Sequence, residues 1–217
     1  MPELRIGIDP AGLRQPLKKA LHTAARLGAG AVEIDARGEI APQQFSQTAL
    51  RQLRKMLEDL GLRVSAVRFR TRRGYDTPEA LEPRIAATKA AMRLAYALGA
   101  GAVVNHLGRA AADQHSPQRP LLVEVLEDLG RYGQHAGALL AAETGTESGP
   151  QLAALLAQLP HGAIGVDLDP GNLVLHGFSP AEAVDALGAA ILHVHATDAA
   201  RDPGAAPAQP VGLGEGA

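Results

Sequence analysis

The chain has 217 residues, 46% of them hydrophobic and 20% charged, which is enough to bury the core of one large α/β domain. It contains no cysteine, which excludes disulfides, thiolate metal sites and a cysteine nucleophile, so any metal must be held by His, Asp and Glu. A formal net charge of −2 provides no general attraction to nucleic acid, no apolar run approaches the roughly 18 residues of a membrane span, and the start MPELRIGIDP has no basic stretch followed by an apolar one. The expectation is a cytoplasmic protein with neither a nucleic-acid nor a membrane partner.

Short apolar runs rich in β-branched residues recur along the chain: RIGID from Arg5, AVEID from Ala31, RVSAVRF from Arg63, AGAVVNHLG from Ala100, ALLAAETG from Ala138, AIGVDLD from Ala163 and AAILHVHATD from Ala189. Each reads as a strand. Between them lie segments with helical spacing, among them PLKKALHTAARLG, TALRQLRKMLEDLG, ALEPRIAATKAAMRLAYALG and PLLVEVLEDLGRYGQHAG, several ending in a glycine suited to a helix C-terminus. The basic run RFRTRR (Arg68, Arg70, Arg72, Arg73) reads as a solvated loop.

Strict alternation of strand and helix, with strands apolar on both faces, predicts a parallel sheet covered by helices. The first strand runs into DPAGLRQP rather than a G-x-G-x-x-G turn, so a closed (β/α)8 TIM barrel is favoured over a dinucleotide-binding sheet. Residues 1–217 then form a single domain. Seven strands are recognisable before PGAAPAQPVGLGEGA, so the barrel is expected to be truncated after the seventh strand and C-terminally incomplete.

In such a barrel the reactive residues sit where strands end. Those positions hold Glu33 and Asp35, Asn105 and His106, Glu143, Asp167 and Asp169, and His193, His195 and Asp198; Asp167 shares a strand side with Asp169 but sits one step deeper and is expected to satisfy a neighbouring strand end or helix. Glu143, Asp169 and His195 are spaced by 26 residues and by 26 again, one βα unit each time, so neighbouring strands should present them side by side. Two carboxylates and an imidazole suit a divalent cation, Mn2+ first, with Mg2+, Co2+ and Zn2+ also compatible. Alternation puts His193 and His195 on the same side of their strand and leaves open which of them is the ligand. His22, His115, His135, His161 and His176 fall on helices or loops and are expected at the surface.

With these residues in place, the chain resembles the xylose-isomerase-like TIM-barrel superfamily, which includes ketose 3-epimerases, hydroxypyruvate isomerase and endonuclease IV. The resemblance rests on AVEID, LAAETG, VDLDPGNL and HVHATDAAR with the following VGLGEG. It implies Glu143, Asp169 and His195 as metal ligands, completed by a glutamate on an eighth strand, and Glu143 as the proton-transferring residue. Arg201 takes the position of an arginine that contacts substrate oxygens, and Asn172 stands where the epimerases carry a histidine, which leaves hydrogen bonding to substrate at that position to an amide. His106 and Glu33 would line the pocket. The implied activity is a metal-dependent isomerase or epimerase acting on a small carbohydrate, phosphorylated or not, through an enediolate, and homo-oligomerisation is left open. The competing readings are a catalytically silent barrel that binds or regulates, and an endonuclease IV-like phosphodiesterase.

Overall fold

The structure, a computed structural model, describes residues 6–38, 40–42, 46–200 and 208–216. Seven parallel strands lie side by side in chain order: β1 (Gly7–Ile8), β2 (Ala31–Asp35), β3 (Arg63–Arg68), β4 (Ala102–Asn105), β5 (Leu139–Glu143), β6 (Gly165–Leu168) and β7 (Ile191–Val194). They are connected through α1 (Leu17–Arg26), α2 (Gln47–Asp59), α3 (Leu81–Ala97), α4 (Arg119–Ala136), α5 (Gly149–Leu156) and the short pair α6 (Pro170–Leu175) and α7 (Pro180–Leu187). The sheet curls as the strands of a TIM barrel do. The side chains of Glu33 on β2 and His195 just past β7 meet across it, although 162 residues separate them.

Local chemistry accounts for the helix boundaries. Ser46, Ser148 and Ser179 each accept a hydrogen bond from an amide in the first turn of α2, α5 and α7, and at α5 the Gln151 side chain returns the bond in a capping box. Gly137 ends α4 in the left-handed region, at φ 80°.

The alternation of each strand separates two environments. Val32, Ile34, Val67, Val103, Leu140, Ala142, Val166 and Leu168 point outward into the main apolar core beneath the helices. Ala66, Ala102, Val104 and Ala141 point the other way and form a small inner cluster. The same inner face, followed to the carboxyl ends of the strands, carries Glu33, Arg68, Glu143, Asp167 and His193.

One element was not anticipated. The segment PGAAPAQPVGLGEGA, in which the sequence shows no strand, pairs with the chain after β7: β8 (Asp198–Ala200) and β9 (Gln209–Val211) form an antiparallel ribbon with Ala199 opposite Pro210. Two three-residue strands, one containing proline, have no periodicity to read. Asp198 anchors the ribbon by accepting from the amides of Ala199, Gly214 and Gly216. The amide of Gly214, above all, holds the Asp198 carboxyl below its ordinary range.

Candidate metal centre

The carboxyl ends of β2, β5, β6 and β7 converge on His195. Its Nε2 lies 3.1 Å from both oxygens of Glu33, and its Nδ1 lies 2.7 Å from Oδ2 of Asp167. The other oxygen of Asp167 is 2.8 Å from Nδ1 of His193, whose ring stands edge-on to that of His195. Asp167 is fully buried and shared between two imidazoles. The sheet has two register irregularities beside these acids, one between Val32 and Glu33 and one between Val166 and Asp167. A bulge re-aims the residue next to it, so these steps set where the two carboxylates point.

The electrostatics follow from this enclosure. Burial pushes the His195 imidazole down, but hydrogen bonds and charge from Asp167 and Glu33 outweigh it and lift the group to about 10. Burial acts in the opposite sense on Asp167, and the two histidines override it to hold that carboxyl below its usual range. Asp167 and His195 stabilise each other's charged form.

Two groups of ligand atoms lie within 4.8 Å of one another: Glu143, Asp167 and His195, and Glu33, His193 and His195. Oδ2 of Asp167 and Nδ1 of His195 are buried and close, yet neither has a properly aligned hydrogen-bond partner. A hard oxygen and an imidazole nitrogen held 2.7 Å apart with no other partner, next to a second carboxylate, form a donor set that fits a divalent cation once the imidazole gives up its proton.

Asp169 is not in either group. Its Oδ1 accepts from the amide of Asn172 and from the hydroxyl of Thr197, which makes it the N-cap of α6. Asn172 donates its side-chain amide to the Thr144 carbonyl at 2.6 Å. That contact needs Gly145, which has φ 141°, and a Cβ there would lie 2.0 Å from the Asn172 side chain. His106 places Nε2 2.7 Å from the Thr71 carbonyl. Arg201 lies outside the described residues.

Two arginines from the run read as solvated point into the mouth instead. Arg68 pairs with Asp9 at 2.9 Å and approaches Glu33 and Asp35 at 3.6 and 3.7 Å. Arg70 makes a two-pronged contact with Glu143. The signal was available in the alternation: Ala66 faces inward, and 68 and 70 continue its parity. The five histidines expected at the surface are all exposed.

The sequence profile of the xylose isomerase-like TIM barrel family matches residues 21–217. The chain belongs to that family. Among solved structures, a xylose isomerase domain protein from Planctomyces limnophilus is 23% identical, with a TM-score of 0.84 over 99% of this chain and 81% of that one. A xylose isomerase-like TIM barrel protein from Mycobacterium smegmatis in complex with magnesium is 21% identical, with a TM-score of 0.80 over 98% and 82%. A D-psicose 3-epimerase, solved with D-fructose, is 16% identical, with a TM-score of 0.73 over 88% and 72%. At these identities the likeness speaks for the fold. Among curated proteins, none is similar enough in sequence to match. No described helix of this family member is long and apolar enough to cross a membrane.

Proposed function

We propose that this chain is a divalent-metal-dependent isomerase or epimerase of a small carbohydrate. The observation that carries the reading is the gathering of Glu143, Asp167 and His195 around two buried ligand atoms that have no aligned hydrogen-bond partner. The epimerase and the magnesium-bound barrel among its structural relatives support the reaction class and the need for a cation. The sequence reading favours Mn2+, whereas the relative makes Mg2+ the first ion to test.

In this reading Glu143, Asp167 and His195 hold the cation, with Glu33 and His193 alongside and Asp169 next to them as the cap of α6. When bound, the cation would polarise the carbonyl of an open-chain sugar and ease loss of a proton from the adjacent carbon. Glu143, on the inner face of β5, takes that proton. With Nδ1 of His195 beside Asp167 in the ligand group, Glu33 at Nε2 is the carboxylate that orients the imidazole from its other side. His106 and Glu33 line the pocket, Asn172 and Thr144 tie the loops after β5 and β6 together, and Arg201 reaches substrate oxygens.

A second reading, a silent barrel whose Glu143 is permanently neutralised, has one observation in its favour, the Arg70 contact. Incubation with a panel of ketoses and Mg2+ or Mn2+ in heavy water separates the two. Deuterium should appear at the carbon next to the carbonyl, and Glu143→Gln should abolish it. Exchange that persists in Glu143→Gln, or no exchange with any ketose, would sink the first reading.

A further inference from the structure

The loop after β3 ties an arginine to the proposed cation site. Nε of Arg70 donates to Oε2 of Glu143 at 3.0 Å, and Nη2 donates to Oε1 at 2.5 Å. Among the described residues, Glu143 is the only hydrogen-bond partner of Arg70. Arg68, two residues earlier on the same face, differs: it is paired with Asp9 and near Asp35, which belong to neither ligand group, so it keeps partners whatever binds. The Arg70 side chain is 57% exposed, so packing does not confine it. Its backbone is better held, because the next amide, Thr71, donates to the buried Asn105 at 3.1 Å. The side chain can therefore swing about a fixed base.

A Glu143 oxygen that ligates a cation cannot also serve both prongs of Arg70, and the cation repels the guanidinium. We propose that Arg70 is the anion receptor of this site, paired with Glu143 in the ion-free protein and released by the cation to take a carboxylate or phosphate of the substrate. The inference rests on reading Glu143, Asp167 and His195 as a cation site. It assigns the substrate to acidic sugars, whether sugar acids or sugar phosphates, because a planar guanidinium fork matches both oxyanions bidentately. The coupling is reciprocal: the cation frees the receptor, and the anion keeps it away from Glu143.

Calorimetric titration of the full chain and of Arg70→Gln and Arg70→Lys tests this, with Mg2+ alone and then propionate and methyl phosphate as probes. Circular dichroism confirms that each variant is folded. Arg70→Gln should bind Mg2+ about two- to fivefold more tightly than the parent, the worth of a half-exposed ion pair. One of the anions should bind the parent about two- to fivefold more tightly at saturating Mg2+ than without it, because the cation returns to the anion what the Arg70–Glu143 pair withholds. Which anion gains distinguishes acid from phosphate. Arg70→Gln should lose that gain, and Arg70→Lys, which keeps the charge but not the fork, should recover only part of it. Unchanged or weaker Mg2+ binding in Arg70→Gln would overturn the proposal, as would an anion that still needs Mg2+ but binds Arg70→Gln as well as the parent. Failure of both chains to bind Mg2+, Mn2+ or Zn2+ would instead remove the cation site on which it rests.

Discussion

Along the same strands, the outer and inner faces of the sheet are built for different purposes. On β5, Leu140 and Ala142 point into the apolar core, whereas Ala141 and Glu143 point inward, and Glu143 lies at the mouth. On β6 the outward pair is Val166 and Leu168, and the inward residue between them is Asp167. One face supplies stability and the other holds charges that oppose it, and a single step along the chain separates them. β7 departs from the pattern on its outer face, where Leu192 and Val194 are 49% and 51% exposed. Apolar identity therefore does not by itself make a residue part of the core; cover by a helix does.

The largest expected effect tests the outer face. Leu140→Ala should lower stability by about 2–5 kcal/mol, as large-to-small changes in a packed core do, whereas Glu143→Gln, one turn of the pleat away from Ala142, should cost under about 1 kcal/mol. Urea midpoints of the two variants make the check, and equal losses would break the contrast between the faces.

The next effect concerns a charge that did end up inside. Glu147, in the loop after β5, is 2% exposed, and burial pushes its carboxyl up to about 7 from 4.5, with partial relief from the Thr146 hydroxyl and from His176. A raised carboxyl costs nothing below its unfolded value. The cost grows as pH climbs from about 4.5 to about 7 and stays constant above that. Glu147→Gln should therefore stabilise the protein by on the order of 2–3 kcal/mol at pH 8, and thermal melts at pH 4 should show no gain.

On the inner face, the His195 imidazole is held charged up to about 10 by Asp167 and Glu33 despite its burial. Because the folded value is raised, this pairing contributes fully below the unfolded value of 6.5 and is lost as pH rises through about 10. A cation taking the imidazole must displace that proton. Cation affinity should rise with pH by up to about tenfold per unit, with about one proton released per ion. Calorimetry of Mg2+ binding in buffers of different ionisation enthalpy reads the proton directly, and a pH-independent affinity would contradict the assignment of His195.

The smallest effect returns to β7. Leu192→Ala should cost less than about 1 kcal/mol, because about half of the side chain is already in contact with water, and a loss as large as that of Leu140→Ala would show that the outer face of β7 is covered in solution.

The strand runs, the helices between them and the acidic strand ends were legible because alternation and capping are local properties of the chain. RIGID, AVEID, RVSAVRF, AGAVVNHLG, ALLAAETG, AIGVDLD and AAILHVHATD all contain the parallel strands found, and Glu33, Glu143 and Asp167 all face inward as period two requires. Arg68 and Arg70 were legible by the same parity but hidden by their basic neighbours. Other features depended on tertiary geometry. Nothing in HVHATD indicates that His195 rather than His193 bridges Asp167 and Glu33, because Glu33 reaches it only through the curl of the sheet. Spacing paired Asp169 with Glu143 and His195; it does not show that the backbone turns at Asp169 into α6 with Oδ1 as its cap, nor that register shifts beside Glu33 and Asp167 aim those carboxylates at the imidazole. A pattern repeating every two residues specifies which face a side chain takes, but the distance between two faces depends on curvature and register, which no short stretch of chain contains.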